Sequence, residues 1–223
     1  MHEYGVVTGA KETSFRGQTY KFAHSSLNAS WYTHEDEASV REAFWVMEPG
    51  DIIFDVGCGF GSYTLPALAT GAVQAYCWTP LDFEISVLNE SLKLNGWQDK
   101  CELHQIALYS RAGSINPDTL AFSDDPEKES FKTTTLDEVT AHLTNTDPRC
   151  WLKMDVEGAE LEVLKGGEEF IKRFRPIVFL ENHVFKLAGV DTQVRLFLEA
   201  RNYTHQATAP YQSVSHSLFT PNV

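Results

Sequence analysis

Basic residues are the scarce class in this chain. Its 18 lysines and arginines stand against 31 aspartates and glutamates, a formal net charge of −13. A field of that sign repels phosphate backbones and anionic lipid, and the basic residues form no stripe, so neither nucleic acid nor membrane is an expected partner. Long apolar runs are missing too. Nothing approaches the ~20 residues of a membrane span, and Met1-His2-Glu3-Tyr4 lacks the charged and apolar regions of a secretory leader. Cysteine is sparse: Cys58, Cys77, Cys101 and Cys150 lie in or beside expected strands with no CxxC or Cys/His spacing. They read as reduced, buried, small apolar residues. There is no internal repeat and no low-complexity tract. These absences leave a soluble cytoplasmic protein as the expectation, with its oligomeric state open.

What is present is alternation. At 223 residues the chain suits one domain with a two-faced core. Residues 1–36 have no sustained period and read as an N-terminal arm or short strands, with a lid as one use for them. Residues 37–223 form the main domain. A helix is expected over Glu37–Met47, stopped by Pro49-Gly50, then a strand over Asp51–Val56 and a helix from Gly61 to Thr70. A second strand, Ala72–Thr79, ends at Pro80. Asp82 then caps a helix to Leu94, closed by Asn95-Gly96. Cys101–Leu108 is a third strand. The irregular stretch 110–147 holds a polar loop, Ser123–Glu127, and a short helix opening at Thr135. Trp151–Val156 is a fourth strand, Ala159–Phe174 a helix, and Ile177–Glu181 a fifth strand. A helix over Asp191–Ala200 and strands around Tyr203–Ala207 and Ser217–Thr220 complete the chain. This order predicts an α/β fold with a doubly wound, mostly parallel sheet and an antiparallel C-terminal edge.

Open α/β sheets bind ligands beyond the carboxyl ends of their strands. At the first such end stands Asp55-Val56-Gly57-Cys58-Gly59-Phe60-Gly61. A dinucleotide site wants G-x-G-x-x-G; here the third glycine comes one residue early, which disfavours a nicotinamide oxidoreductase. The acid-G-x-G-x-G form resembles motif I of class I S-adenosylmethionine (SAM)-dependent methyltransferases. A plain strand-to-helix turn using glycine for positive φ is the alternative.

A second stretch is more specific. Residues Trp151 to Gly167, WLKMDVEGAELEVLKGG, closely resemble the LK-[IM]-D-[VI]-E-G-A-E-x-x-V-L-x-G block of FkbM-type methyltransferases. Arg175-Pro176-Ile177-Val178-Phe179-Leu180-Glu181-Asn182-His183 resembles the same family's R-P-x-x-x-x-E-x-H strand. Glu48–Asp51 and Thr133–Asp137 are similar to it as well, so the resemblance runs from Glu37 to His183.

The resemblance implies a Rossmann-like SAM-dependent O-methyltransferase acting on a hydroxyl of a small molecule or sugar. It implies that Asp55 lies near the methionine ammonium and that Gly57, Gly59 and Gly61 let backbone approach the cofactor. Ala107 falls where adenine meets backbone, and Tyr63 is a candidate for the methionine tail. Family members usually end the second strand in an acid that binds the ribose hydroxyls; here Thr79 stands in its place. Trp78 could offer a face to adenine, with Asp82 one turn on as a possible compensating acid. A hydroxyl acceptor benefits from a base. His183 is the first choice, with Asp155 orienting it or the substrate. Glu157 and Glu160 read more simply as first-turn acids complementing a helix dipole. Asp155, Glu181 and Asn182 are similar to the oxygen set of catechol-type methyltransferases, but FkbM-type enzymes carry no metal motif and no metal is expected. Trp31, Tyr32 and His34 are candidates to cover the acceptor. The rival expectation, kept open by Thr79, is a non-catalytic binding or scaffold protein on a methyltransferase fold.

Overall fold

Alternating apolar runs and glycine or proline stops become strands and helices in the order expected. The computed structural model describes residues 7–25, 34–122, 130–144, 148–184, 186–211 and 214–222. The chain divides into two compact units, Met1–Gln105 and Ile106–Val223.

In the first unit, β1 (Val7–Phe15) and β2 (Gln18–Ser25) form an antiparallel hairpin. Then come α1 (His34–Phe44), β3 (Ile52–Val56), α2 (Thr64–Ala69), β4 (Gln74–Thr79), α3 (Asp82–Asn95) and β5 (Cys101–Gln105). β3, β4 and β5 pair in parallel, in that order. Every residue of β3 is buried, as a run covered on both faces requires. The hairpin is no free arm. Ala23 N donates to Ser91 Oγ (2.9 Å) and Lys21 N to Asn95 Oδ1 (2.9 Å), which fastens β2 to α3. Trp31 and Tyr32 lie outside the described residues, and His34 is the first residue of α1.

The second unit holds β6 (Ala107–Leu108), β7 (Gly113–Ile115), β8 (Phe131–Thr134), α4 (Leu136–Thr140), β9 (Cys150–Met154), α5 (Glu160–Lys165), α6 (Glu168–Phe174), β10 (Ile177–Asn182), α7 (Val190–Glu199), β11 (Tyr203–Tyr211) and β12 (Val214–Pro221). β9 and β10 are parallel; β12 runs antiparallel to β10, and β11 antiparallel to β12. That is the expected antiparallel edge.

Three differences from the sequence reading bear on the site. The expected third strand breaks at Ile106, and β6 leaves to pair with β8 in a small separate sheet with β7. Ala107 is thus paired opposite Thr133. The expected helix over Ala159–Phe174 is two helices, because Gly166 and Gly167 lie against neighbouring segments. A Cβ on Gly166 would meet the Tyr109 carbonyl oxygen at 2.1 Å, and one on Gly167 would meet Leu136 Cδ2 at 2.8 Å. Asp137 then accepts from Phe170 N (2.7 Å) and Glu169 N (3.2 Å), capping α6 from 33 residues away. Finally, Asp82 is the first residue of α3 and caps nothing; Leu81 is the N-cap. The polar loop at 123–127 lies outside the described residues.

Candidate active site

In the first unit, the glycine turn follows β3. Gly57, Gly59 and Gly61 all take positive φ (74°, 51° and 92°), a conformation that costs other residues about 1 kcal/mol or more. Their surroundings differ. A Cβ on Gly61 would stand 2.6 Å from Leu88 Cδ1, whereas one on Gly59 would meet nothing within 4 Å. Gly61 therefore serves packing, and Gly59 leaves open space. The amides of Gly57 and Cys58 both donate to the Trp78 carbonyl (2.9 and 3.1 Å), tying the turn to the end of β4.

Asp55 is fully buried. It accepts from Thr64 Oγ1 at 2.6 Å, so it braces the first turn of α2. Tyr63, the N-cap of α2, is buried as well. Trp78 is 1% exposed. It is flanked by His104 (5.7 Å, 13° between planes) and Phe54 (6.4 Å, 7°). That row of rings gives Trp78 a place in the core rather than the adenine face that its position suggested.

Thr79, at the end of β4, is buried, and its hydroxyl donates to Glu84 Oε2 in the first turn of α3 while accepting from Leu81 N. Asp82 is exposed. The acid that reaches the end of β4 is therefore Glu84, a residue the sequence reading passed over. Its signal was helical phase: with Leu81 as N-cap, Glu84 is the third helical residue and points back toward the cap.

In the second unit, the ends of β9 and β10 bring Asp155 and His183 together. His183 is 3% exposed. Its Nδ1 lies 2.9 Å from Glu160 Oε1, and its Nε2 lies 3.6 Å from Asp155 Oδ1, 3.7 Å from Glu157 Oε2 and 3.6 Å from Glu181 Oε1. Burial by itself would lower the His183 pKa. The Glu160 hydrogen bond and the charges of Asp155, Glu160 and Glu157 outweigh it and carry the group up to about 9. A histidine charged at neutral pH cannot accept a proton there, which counts against the general-base role expected of it. Glu160, set aside in the sequence as a dipole-complementing acid, is wholly buried and fixes the imidazole from behind.

The remaining charges are distributed around this core. Lys153, buried in β9, lies 3.7 Å from Asp155 Oδ2, and Lys186 Nζ lies 2.9 Å from Glu157 Oε2. Burial would raise the Glu181 carboxyl, but the hydrogen bond and charge of His216, with the charges of His183 and Lys153, hold it below its usual range. Glu157 takes φ 55° just before Gly158, a strained placement for a side chain with a Cβ. Asp155, Glu181 and His183 each offer a donor atom, all within 4.8 Å of one another. Asn182, the third member of the oxygen set considered from sequence, turns instead to Ser215 O and Ser217 Oγ (3.0 Å each).

The glycine turn follows β3 of the parallel set β3–β5 in the first unit, and the acid–histidine cluster stands at the carboxyl ends of the parallel pair β9 and β10 in the second; the fold is that of class I methyltransferases. The profile of the methyltransferase FkbM domain matches residues 68–205, well over half of the chain, and the chain belongs to that family. The glycine turn precedes the matched region. Among solved structures, a methyltransferase FkbM from Methylobacillus flagellatus superposes with a TM-score of 0.60 at 16% identity, over 80% of this chain and 46% of that one. The ribosomal protein L11 methylase of Lactobacillus delbrueckii subsp. bulgaricus does so with 0.52 at 12% identity, over 86% and 79%. A curated ribosomal protein L11 methyltransferase from Caldanaerobacter subterraneus subsp. tengcongensis is 35% identical over 54 residues, 24% of this chain and 18% of that protein. The chain thus spans less than half of the FkbM methyltransferase structure and under a fifth of the curated relative.

A methyltransferase of this fold class implies SAM as methyl donor. The residues present fit it: Gly59 has open space where a side chain would stand, and Glu84 supplies a carboxyl at the end of β4. Among the described residues no helix is long and apolar enough to cross a membrane.

Proposed function

We propose that this protein is a SAM-dependent O-methyltransferase that methylates a hydroxyl of a small molecule or sugar. The observation that carries this reading is the acid–histidine cluster at the ends of β9 and β10, where Asp155 Oδ1 lies 3.6 Å from Nε2 of the buried His183. When bound, SAM supplies a methyl group on a sulfonium for transfer to a nucleophile. The turn Gly57–Gly61 would hold it, with Gly59 allowing close backbone approach.

The acceptor's chemistry falls to the second unit. A hydroxyl becomes a better nucleophile as its proton leaves during bond formation. Asp155, about a third exposed, takes that proton in this reading. His183 is the positioning residue. It holds its own proton, faces Asp155 with a positive charge, and is itself fixed by Glu160. Lys153 flanks Asp155 from the strand. This reading exchanges the roles expected of the two residues from sequence.

The test is incubation with methyl-labelled SAM and a panel of sugars and hydroxylated small molecules. An alkali-stable methyl ether is the expected product. Label confined to alkali-labile esters or to nitrogen would contradict the reading.

A further inference from the structure

We infer that Glu84 is the carboxylate that binds the ribose hydroxyls of the cofactor, and that Thr79 positions it. This rests on the SAM reading above. In nucleotide-binding α/β folds the ribose acid lies about 20 residues beyond the glycine turn, at the end of the second strand. This chain has Thr79 at that point, and the side chain there is buried and neutral. The charge arrives from the next element instead. The Thr79 hydroxyl donates to Glu84 Oε2, and the Leu81 amide donates back to the same hydroxyl (3.3 Å), so the carboxyl is fixed over the end of β4.

Two contacts of its neighbours on α3 place Glu84 beside the glycine turn. Phe83, its neighbour, packs on Phe60 within the turn at 5.7 Å between ring centroids. Leu88, one turn further along α3, sits against Gly61. Burial pushes the Cys58 thiol up, Cys77 and Asp55 add to that, and the charge of Glu84 is felt there as well. The first turn of α3 therefore lies along Cys58–Gly61, the part of the turn where Gly59 leaves space. A carboxylate has about four acceptor positions, and a vicinal diol donates to such a group in paired, charge-assisted bonds.

The plain alternative is a helix cap. Glu84 is the third residue of α3, where Glu and Gln reach back to the cap equally well. Glu84→Gln separates the two roles, since it keeps the cap and removes the charge. Calorimetric titration of the full chain with S-adenosylhomocysteine (SAH) and its 2′-deoxyribose analogue reads the outcome. The wild type is expected to prefer SAH tenfold or more. Glu84→Gln, with an unchanged near-ultraviolet circular dichroism spectrum, is expected to bind SAH at least tenfold more weakly and to lose most of that preference. Unchanged SAH affinity in Glu84→Gln, or equal binding of the two ligands by the wild type, would overturn the role of Glu84 while leaving the SAM reading intact. No binding of SAH by the wild type would overturn both.

Discussion

His183 Nδ1 and Glu160 Oε1 stand 2.9 Å apart with both side chains shut off from water. Glu160 also accepts from the Gly158 amide at 3.1 Å, so one carboxyl joins the start of α5, the turn before it and the end of β10. Glu160→Gln keeps the shape and removes the charge. It is expected to bring the His183 pKa down toward its ordinary value and to cost about 1–3 kcal/mol of stability. Imidazole proton titration by NMR and urea unfolding check the two effects. An unmoved His183 titration would contradict the arrangement.

The same pair gives stability a pH dependence of definite sign. His183 binds its proton more tightly folded than unfolded, with a folded pKa of about 9 against an ordinary 6.5. Its contribution is complete below about pH 6.5 and is lost as pH rises to about 9. The loss is on the order of 3 kcal/mol for such a shift. Urea midpoints should therefore fall across that window in the wild type and stay flatter in His183→Ala.

Turnover separates the two candidate bases. With Asp155 as base and His183 charged, turnover is level near neutrality and falls above about pH 9, when the imidazolium is lost. With His183 as base it would instead rise through neutrality and level off near 9. Asp155→Asn is expected to lower turnover about 10²–10⁴-fold while leaving SAH affinity near that of the wild type.

Gly59 and Gly61 should respond differently to alanine. Gly61→Ala meets both a positive φ and Leu88 Cδ1 at 2.6 Å, so a loss of about 2–4 kcal/mol is expected. Gly59→Ala has the conformational cost alone, about 1 kcal/mol, and its main effect should be weaker SAH binding. Thermal unfolding and titration of both variants read the contrast; equal loss of stability would contradict it.

The alternation of strand and helix, the antiparallel edge and the family were legible in the chain because they rest on apolar runs and on two local blocks, Asp55–Gly61 and Trp151–Gly167. Glu84 and Glu160 were not. Each is an acid in the first turn of a helix, where a dipole partner on the surface and a buried ligand of another group share the same local sequence. What distinguishes them is helical phase against a strand end, and the phase depends on a helix start that propensity places only to within a residue or two. Asp82, nearer the strand end, stands out from sequence, and Glu84 does not. Trp78 shows the converse: its place beside the glycine turn suggests a ligand face, but its ring stacks in the core with Phe54 and His104.

Equilibrium titration of the wild-type chain with SAH tests the central claim most directly. Saturable binding of one SAH per chain, retained in Asp155→Asn, is the result expected of a methyltransferase whose glycine turn holds the cofactor. Absence of saturable binding at millimolar SAH would contradict that account.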